Sequence, residues 1–339
     1  MRLLLCFVIA VAFFSCQDHS NNPDVSHIEM KLLTKRFEKD LFSLDQSDIA
    51  VKLDTLIAQY PDFGENFMLN ILNADPKWSN DTIANYVNGF VQAYRSLYDT
   101  TQLIFKDFSV YENEIKKSMQ LFRHYFPNDS NYKLPTEIIT YIGPLDGYGD
   151  VLTENAFVVG LQHHLGKNAT YYQSEWFNET YPAYISNRFE PSYIAINCIK
   201  NLLSDRYPES SENQSLSIQM IEKGKRLYLL QQLLPTKKDY QLIGYTEKQM
   251  TDCYAHEAAI WNLFIKNDLL QNQDFNFIKN YIGESPKTQE LGDASPGNIG
   301  AFVGWQIVKK FMKKNTSVSL TELMKTKAET ILEKTKYKP

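Results

Sequence analysis

The sequence predicts a mainly helical α+β protein in which many helices surround a small sheet. Over most of the chain, apolar residues recur three and four positions apart, which is the spacing of amphipathic helices. Two short segments, residues 136–142 and 155–161, are instead rich in β-branched and aromatic residues and predict strands. A hydrophobic content of 43%, with 21 tyrosines and 20 phenylalanines, is enough for a substantial core and argues against disorder.

The first residues of the chain have the pattern of an export signal. Arg2 supplies a positive charge, residues 3–14 are all apolar, and Ser15 and Cys16 follow. As a helix these twelve apolar residues would span roughly 18 Å, short of the ~30 Å hydrocarbon core of a bilayer. A cleaved signal over residues 1–15 is therefore favoured over a membrane span.

A cysteine that follows a small residue at the end of such a run resembles a bacterial lipoprotein cleavage site. This resemblance implies a mature protein that begins at Cys16 and carries lipid on that residue, where each buried methylene contributes ~0.8 kcal/mol of membrane affinity. The alternative is an ordinary signal peptide with an incidental cysteine. Residues 16–26 are then expected to be the lipidated cysteine followed by a polar, flexible tether that contains Pro23.

The region of residues 27–134 predicts a short strand followed by helical hairpins. The strand is expected at residues 27–33. Helices are expected at residues 48–60, with Ser47 as the N-cap, at 65–72, at 79–98, with Ser79 or Asp81 as the N-cap, and at 112–126.

The sequence pattern changes at Pro135 from helical spacing to a β-branched segment. Residues 135–339 are therefore predicted to form an α+β region. A turn-rich segment, residues 143–149, separates the two predicted strands. Helices are expected at residues 191–203, 215–234, 246–267, 298–313 and 319–334, with capping-box spacing for Thr246 with Gln249 and for Ser319 with Glu322. Gly297 and Gly300 are expected to let the helix at 298–313 pack closely where it begins.

Composition and motifs argue against several classes of function. The formal net charge of −5 and the absence of a basic stripe argue against nucleic-acid binding. The sequence has neither a phosphate-binding loop of the Walker type nor a Gly-x-Ser-x-Gly nucleophile motif. Apart from Cys6 and Cys16, only Cys198 and Cys253 remain, which is too few for a disulfide framework. Two alternatives are open for this pair: a disulfide bridge between them, or two free thiols packed in the core.

The histidines are the candidates for metal chemistry. His256-Glu257 begins the pattern of a zinc-dependent hydrolase, but Ile260 stands where the second histidine ligand would be. Both residues are therefore expected to lie on the face of an ordinary helix and not to bind a metal. His163 and His164 are adjacent, so on a strand they would point to opposite faces and could not share an ion, whereas at a strand end one of them could bind.

Three groups of residues in the second half carry a family resemblance. They are residues 221–228 (IEKGKRLY), residues 231–235 with 244–246 (GYT), and residues 295–300 (SPGNIG) leading into 304–308 (GWQIV). With residues 61–63 (PDF) and the lipoprotein start, their order and spacing resemble the gliding-motility lipoprotein family GldB of the Bacteroidota. The resemblance covers roughly residues 28–323 and implies a membrane-anchored part of gliding and associated secretion machinery.

The same segments also resemble, remotely, a degenerate zinc metallopeptidase fold. In that fold a sheet precedes the metal-binding helix and a later helix supplies a glutamate ligand. Residues 191–203 would be the metal-binding helix but contain no histidine, and Glu222 has the place of the third ligand. Because zinc is bound weakly without its imidazoles, this resemblance implies a scaffold without catalysis and a vestigial cleft of Glu222, His163, His164 and His256. The alternative is that Glu222 pairs with Lys225 or Arg226 on a solvated helix face.

The sequence therefore predicts a non-enzymatic envelope protein that is anchored in a membrane, expected to be the outer membrane facing the periplasm, by lipid on Cys16. Its expected partners are other proteins of the motility apparatus, and no metal, other cofactor or nucleic acid is expected. Two alternatives stay open. One is a metal-dependent peptidase with an atypical site of His163 or His164, Glu222 and His256. The other is a glycan- or peptide-binding lipoprotein, since aromatic faces stack on sugars.

Overall fold

The computed structural model describes residues 22–45 and 49–339 of the chain. They form a mainly helical α+β fold around a four-stranded sheet, which confirms the fold class predicted from the sequence. Within these two ranges, no helix combines the length and the apolar character needed to cross a bilayer. The predicted signal, Cys16, the first part of the tether and Ser47 lie outside the described residues.

The first third of the described chain forms a short strand and a group of helices. They are β1 (Leu33–Arg36), α1 (Phe37–Phe42), α2 (Ile49–Gln59), α3 (Gly64–Asn66), α4 (Asn80–Ala93), α5 (Arg95–Ile104) and α6 (Ser109–Tyr125), with a π-helical turn at Phe67–Ile71.

The rest of the chain supplies three strands and eleven α-helices. The strands are β2 (Glu137–Tyr141), β3 (Val151–Leu152) and β4 (Ala156–Gly160). The helices are α7 (Glu175–Thr180), α8 (Ala183–Ser186), α9 (Ile194–Arg206), α10 (Leu216–Leu233), α11 (Asp239–Ile243), α12 (Glu247–Ala255), α13 (Glu257–Lys266), α14 (Phe275–Ile282), α15 (Ile299–Lys314), α16 (Leu320–Lys325) and α17 (Ala328–Thr335).

The sheet has the strand order β1-β2-β4-β3. β1, β2 and β4 are parallel to one another, and β3 pairs with β4 in the antiparallel direction at the edge. β2 and β4 are almost fully buried, as expected for central strands of a parallel sheet that is covered on both faces. Because Leu33 of β1 pairs with Glu137 of β2, one sheet joins the two regions that the sequence divides near residue 135.

An aromatic cluster fixes the N-terminal helices on this sheet. The ring of Phe37, at the start of α1, makes edge contacts with Tyr60, Phe63 and Phe67 at centroid distances of 4.7 to 5.0 Å. Phe63 in turn lies 5.1 Å from the ring of Tyr141 on β2. Edge-to-face aromatic contacts of this kind stabilise by roughly 0.5–1.5 kcal/mol each beyond the area they bury.

The helices α10 and α15 cross in direct backbone contact. A Cβ atom added to Gly224 of α10 would lie 2.3 Å from the carbonyl carbon of Gly304 in α15, and one added to Gly304 would lie 1.7 Å from the carbonyl oxygen of Met220. One added to Gly300 would lie 2.9 Å from Ile282 in α14, so the close packing predicted for the start of this helix is confirmed. These glycines belong to segments that carry the family resemblance, and their role in the structure is packing.

Most of the predicted elements are confirmed, together with the caps predicted at Ser79, Thr246 and Ser319. The predicted strands at 136–142 and 155–161 are β2 and β4. Ser79 accepts a hydrogen bond from the amide of Thr82 as the N-cap of α4. Both predicted capping boxes, at Thr246 and Ser319, are formed.

Four predictions of element bounds are wrong, and tertiary contacts explain three of them. The strand predicted at 27–33 begins only at Leu33, where Lys35 reaches Glu137 of β2. The helix predicted at 79–98 is interrupted at Tyr94, next to Arg95, which donates to the carbonyl of Phe42. The helix predicted at 246–267 is interrupted at His256, whose ring bonds to the carbonyl of Asp252. The helix predicted at 319–334 is interrupted at Thr326, whose carbonyl accepts from buried Lys225.

The two cysteines of the folded body are separate thiols. Cys198 and Cys253 are both buried and free, so the bridge that the sequence leaves open is not formed. Burial raises the pKa of Cys198 well above its usual value and raises the pKa of Cys253 to about 12. Both therefore behave as small apolar core residues rather than as nucleophiles.

We expect Gly224→Ala to destabilise the protein by about 3 kcal/mol or more, because the added methyl group can be accommodated only by moving two backbones apart. The matched control is Gly89→Ala on α4, where an added Cβ meets nothing within 4 Å. That variant should be stabilised by roughly 0.5–1 kcal/mol through helix propensity alone. Urea unfolding followed by tryptophan fluorescence measures both, and equal stability of the two variants would contradict the backbone contact.

Candidate functional site

A groove of about 760 Å³ lies between the edge strand β3 and the helix α9. One wall is the β3 hairpin, residues 151–154, and the other is formed by Asn201, Ser204 and Asp205 of α9. The loop of residues 131–135 closes the groove. This loop is linked to both walls, because Tyr132 donates to Asp205 at 2.6 Å and Lys133 pairs with Glu154 at 2.9 Å.

The backbone of β3 has one edge that is not used by the sheet. Thr153 donates its amide hydrogen to the carbonyl of Ala156, so these two residues form a hydrogen-bonded pair that closes the hairpin. Such pairs alternate along antiparallel strands. In the observed register, in which Leu152 opposes Phe157, the amide and carbonyl of Leu152 therefore point away from β4 and toward the groove.

Asp150, at the base of the groove, joins the sheet to α9. Its carboxylate accepts hydrogen bonds from the side chain of Asn197 at 2.8 Å and from the amide of Gly160, at the end of β4, at 3.1 Å. Its main-chain carbonyl accepts from the side chain of Asn201 at 2.9 Å. Asn197 and Asn201 lie four residues apart on α9, so both project from one face of that helix toward Asp150.

His164 completes this cluster as a buried cation. Its Nε2 lies 2.8 and 3.0 Å from the two carboxylate oxygens of Asp150, and its Nδ1 lies 3.1 Å from the carbonyl oxygen of Glu190. A carbonyl oxygen only accepts, and so does a carboxylate, so both ring nitrogens must carry a proton. The pair is therefore an imidazolium with a carboxylate, with side-chain exposures of 1% and 4%.

The two groups stabilise each other's charged forms against the cost of burial. Burial opposes ionisation of Asp150, but the His164 imidazolium and the hydrogen bonds from Asn197 and Gly160 hold the pKa of Asp150 below its usual value. Burial likewise opposes protonation of His164, but Asp150 raises the pKa of His164 above its usual value. Both carboxylate oxygens of Asp150 and both ring nitrogens of His164 are hydrogen-bonded to groups of the protein. The cluster therefore holds β3, β4 and α9 in place.

Of the predicted site residues, only His164 contacts a residue that lines the groove, namely Asp150. His164 is in the cluster. His163 is 6% exposed, has a pKa lowered by burial, and lies 2.9 Å from the carbonyl of Leu145 while stacking on Phe189.

The other two candidate residues have separate surroundings. Glu222 pairs with Lys225 at 2.8 Å, as in the alternative that the sequence left open. The pair does not lie on a solvated face, because Lys225 is buried and also donates to the carbonyl of Thr326 between α16 and α17. His256 is exposed and bonds to the backbone of its own helix. Within residues 22–45 and 49–339, no three His, Cys, Asp or Glu side chains are grouped so that they could hold a metal ion.

Sequence reasoning did not find Asp150, Asn197 or Asn201. A usable signal exists for the two asparagines, because they stand four residues apart on the helix predicted at 191–203. No comparable signal marks Asp150, which lies 47 residues from Asn197.

The fold and the groove define a mainly helical α+β protein whose small mixed sheet has an open edge strand beside a helix. The chain belongs to the lipoprotein family described as gliding motility protein GldB, whose profile matches residues 18–339. It is therefore a gliding-motility-related lipoprotein, as the sequence resemblance implies. No curated protein and no solved structure matches the chain significantly, so the remote resemblance to zinc metallopeptidases stays a hypothesis.

We expect Asp150→Asn to destabilise the protein by about 3–5 kcal/mol near pH 5, because it removes one partner of a buried ion pair. In the wild type, the contribution of His164 is complete below its unfolded pKa of 6.5 and is lost as the pH rises through its raised folded pKa. The contribution of Asp150 is complete above 3.8 and is lost as the pH falls through its lowered folded pKa.

Urea unfolding at a series of pH values from 3 to 9 measures this difference. Lys133→Gln is the control, because it breaks an exposed pair whose side chains are 59% and 77% exposed and should change the stability little at any pH. A stability difference between Asp150→Asn and wild type that is small and does not change with pH would contradict the charged pair.

Proposed function

We propose that this protein is a non-enzymatic component of the gliding-motility machinery that docks an extended segment of a partner protein in the groove beside β3. Lipid on Cys16 would hold the protein at the membrane, with the folded body in the periplasm and the anchor in the outer membrane. The observation that carries the proposal is the open backbone edge at Leu152, which faces a groove of about 760 Å³.

An edge strand that faces a groove is suited to strand addition. An incoming extended segment can pair its own amide and carbonyl groups with those of Leu152, while alternate side chains lie against the groove wall. Helix α9 provides that second wall, and the buried cluster of Asp150 and His164 keeps α9 at a fixed distance from β3. Main-chain pairing gives affinity, and the wall residues Ser204 and Asp205 select the sequence that fits.

The groove lies close in space to the segment that follows the predicted tether. A neighbouring cavity of about 710 Å³ shares Asn131, Lys133 and Pro135 with the groove and extends to residues 28–31. These residues follow directly on the predicted tether, so a segment docked beside β3 would be held close to the membrane.

The internal bonding of the polar groups at the groove supports a binding role. The carboxylate of Asp150 and both ring nitrogens of His164 are fully engaged with protein partners, and the pKa of Cys198 is raised by burial. A general base or nucleophile needs a group that is free to reach the substrate. The groups that the alternative of an atypical peptidase would use lie in separate places.

We expect Leu152→Pro to weaken partner docking about tenfold, because proline lacks the outward-pointing amide hydrogen and its ring obstructs the edge. The β3–β4 pairing does not use that hydrogen, so thermal stability should change little. Leu152→Ala is the matched control, since it removes the side chain but keeps the amide.

The readout is a photo-crosslinking amino acid at Glu154, which is exposed and lines the groove, in the full chain in its bacterial host. We expect a crosslinked envelope protein with wild type and Leu152→Ala and a reduced yield with Leu152→Pro. The same adduct at the same yield in all three proteins would rule out pairing at this edge.

We expect Cys16→Ala to move the protein from the membrane fraction to the soluble fraction of the envelope, because the acylated residue is removed. Immunoblots of fractionated cells measure this, and Cys198→Ala is the control because Cys198 is a buried core thiol. If Cys16→Ala stays in the membrane fraction, the lipid anchor at this residue is wrong.

A further inference from the structure

A second cavity, of about 830 Å³, shares no residue with the groove. It lies between the segment that precedes α9, residues 182–193, and three others: residues 240–249, where α11 ends and α12 begins, and the loops at 284–286 and 296–298. Two of the segments that carry the family resemblance, at residues 244–246 and 295–298, meet at this cavity although they are about fifty residues apart. The structure thus gives these segments a common surface.

Backbone contacts fix the walls of this cavity. The hydroxyl of Tyr245 lies 3.0 Å from the carbonyl oxygen of Gly297 and 3.1 Å from that of Asn298, which ties the two segments together. Gly244 has a φ of +87°, and a Cβ atom there would lie 3.1 Å from the side chain of Arg188. A Cβ atom on Gly297 would lie 2.1 Å from the carbonyl oxygen of Ser285, so only glycine permits this approach.

Polar groups that the fold does not require line the same cavity. Asn298 has a left-handed φ of 54° and precedes α15, yet its side chain does not cap that helix and its Oδ1 has no hydrogen-bond partner among the described residues. Arg188 pairs with Glu284 through both terminal nitrogens at 3.2 Å, with side-chain exposures of 22% and 57%. A partly exposed pair of this kind offers both donors and acceptors to a ligand.

Tyrosine rings supply the apolar part of the lining. Tyr193 and Tyr245 are buried, and Tyr240 packs on the core from one side. Tyr184 lines the cavity and is half-buried but is not part of the packed core. Its ring therefore contributes little to the fold and has a face available to a bound molecule.

We propose that this cavity binds a short oligosaccharide. Its volume lies within the roughly 300–1,000 Å³ of small-ligand sites, but its lining mixes tyrosine faces with amide, carboxylate and guanidinium groups, whereas pockets for apolar ligands are lined mostly by apolar side chains. A sugar ring matches this mixture, because it has an apolar face for an aromatic ring and hydroxyl groups around its edge. None of the strands β1 to β4 lines the cavity, so the main-chain pairing that favours an extended peptide at the groove is missing here.

The test uses the full-length protein in a detergent without a sugar head group, on a printed array of di- to tetrasaccharides and an array of short peptides, followed by calorimetric titration of the strongest hit. We expect saccharide binding that Tyr184→Ala and Asn298→Gly each weaken about tenfold or more. Asn298→Gly removes the amide while allowing the left-handed backbone.

Two matched controls separate the site from general effects of substitution. Tyr148→Ala removes a tyrosine ring that is 61% exposed outside the cavity, and Asn73→Gly changes another asparagine with a left-handed φ, of 55°. Both should bind as the wild type does. Absence of saccharide binding, or equal affinity of all four variants for the saccharide, would overturn the proposal. Neither result bears on docking at β3, whereas peptide binding that Tyr184→Ala leaves unchanged would belong to the groove.

Discussion

The crossing of α10 and α15 at Gly224 and Gly304 is the constraint on which most of the fold depends. The two backbones touch there, so neither position accepts a side chain. α10 also contacts α6, α9 and α17, and α15 contacts α14 and α17. The crossing therefore sets where most helices of the second half of the chain lie. Because α9 is one wall of the groove, the groove too depends on the crossing.

The buried pair of Asp150 and His164 is a second constraint, which acts locally at the groove. It joins the ends of β3 and β4 to α9 through the side chain of Asn197 and to the segment before α9 through the carbonyl of Glu190. A histidine beside an aspartate is a common catalytic pairing, but here both are enclosed and fully bonded. The cost of burying two charges is offset by their attraction and by these additional hydrogen bonds. The same groups that resemble a reactive site therefore set the geometry of the groove.

The segments that carry the GldB resemblance have two different physical roles. Gly224, Gly300 and Gly304 are needed because helices approach closely, whereas Gly244 and Gly297 allow the walls of the second cavity to form. Glu222, which has the place of a zinc ligand in the remote resemblance, neutralises the buried ammonium of Lys225. Family membership is therefore consistent with a shared scaffold, and the residues that face the two cavities are the ones on which the proposed binding functions rest.

The sequence by itself determined the mainly helical α+β class, the two central strands and the caps at Ser79, Thr246 and Ser319, because such features depend on residues within a few positions of one another. It also determined the family. Only the tertiary structure decided where the helices break at Tyr94, His256 and Thr326, that Cys198 and Cys253 stay apart, and that His164 meets Asp150 while Glu222 and His256 lie elsewhere. Apart from the local bond of His256 to Asp252, the partners in these contacts lie far apart along the chain, as with Lys225 and Thr326 at 101 residues. Local periodicity carries no information about such distances.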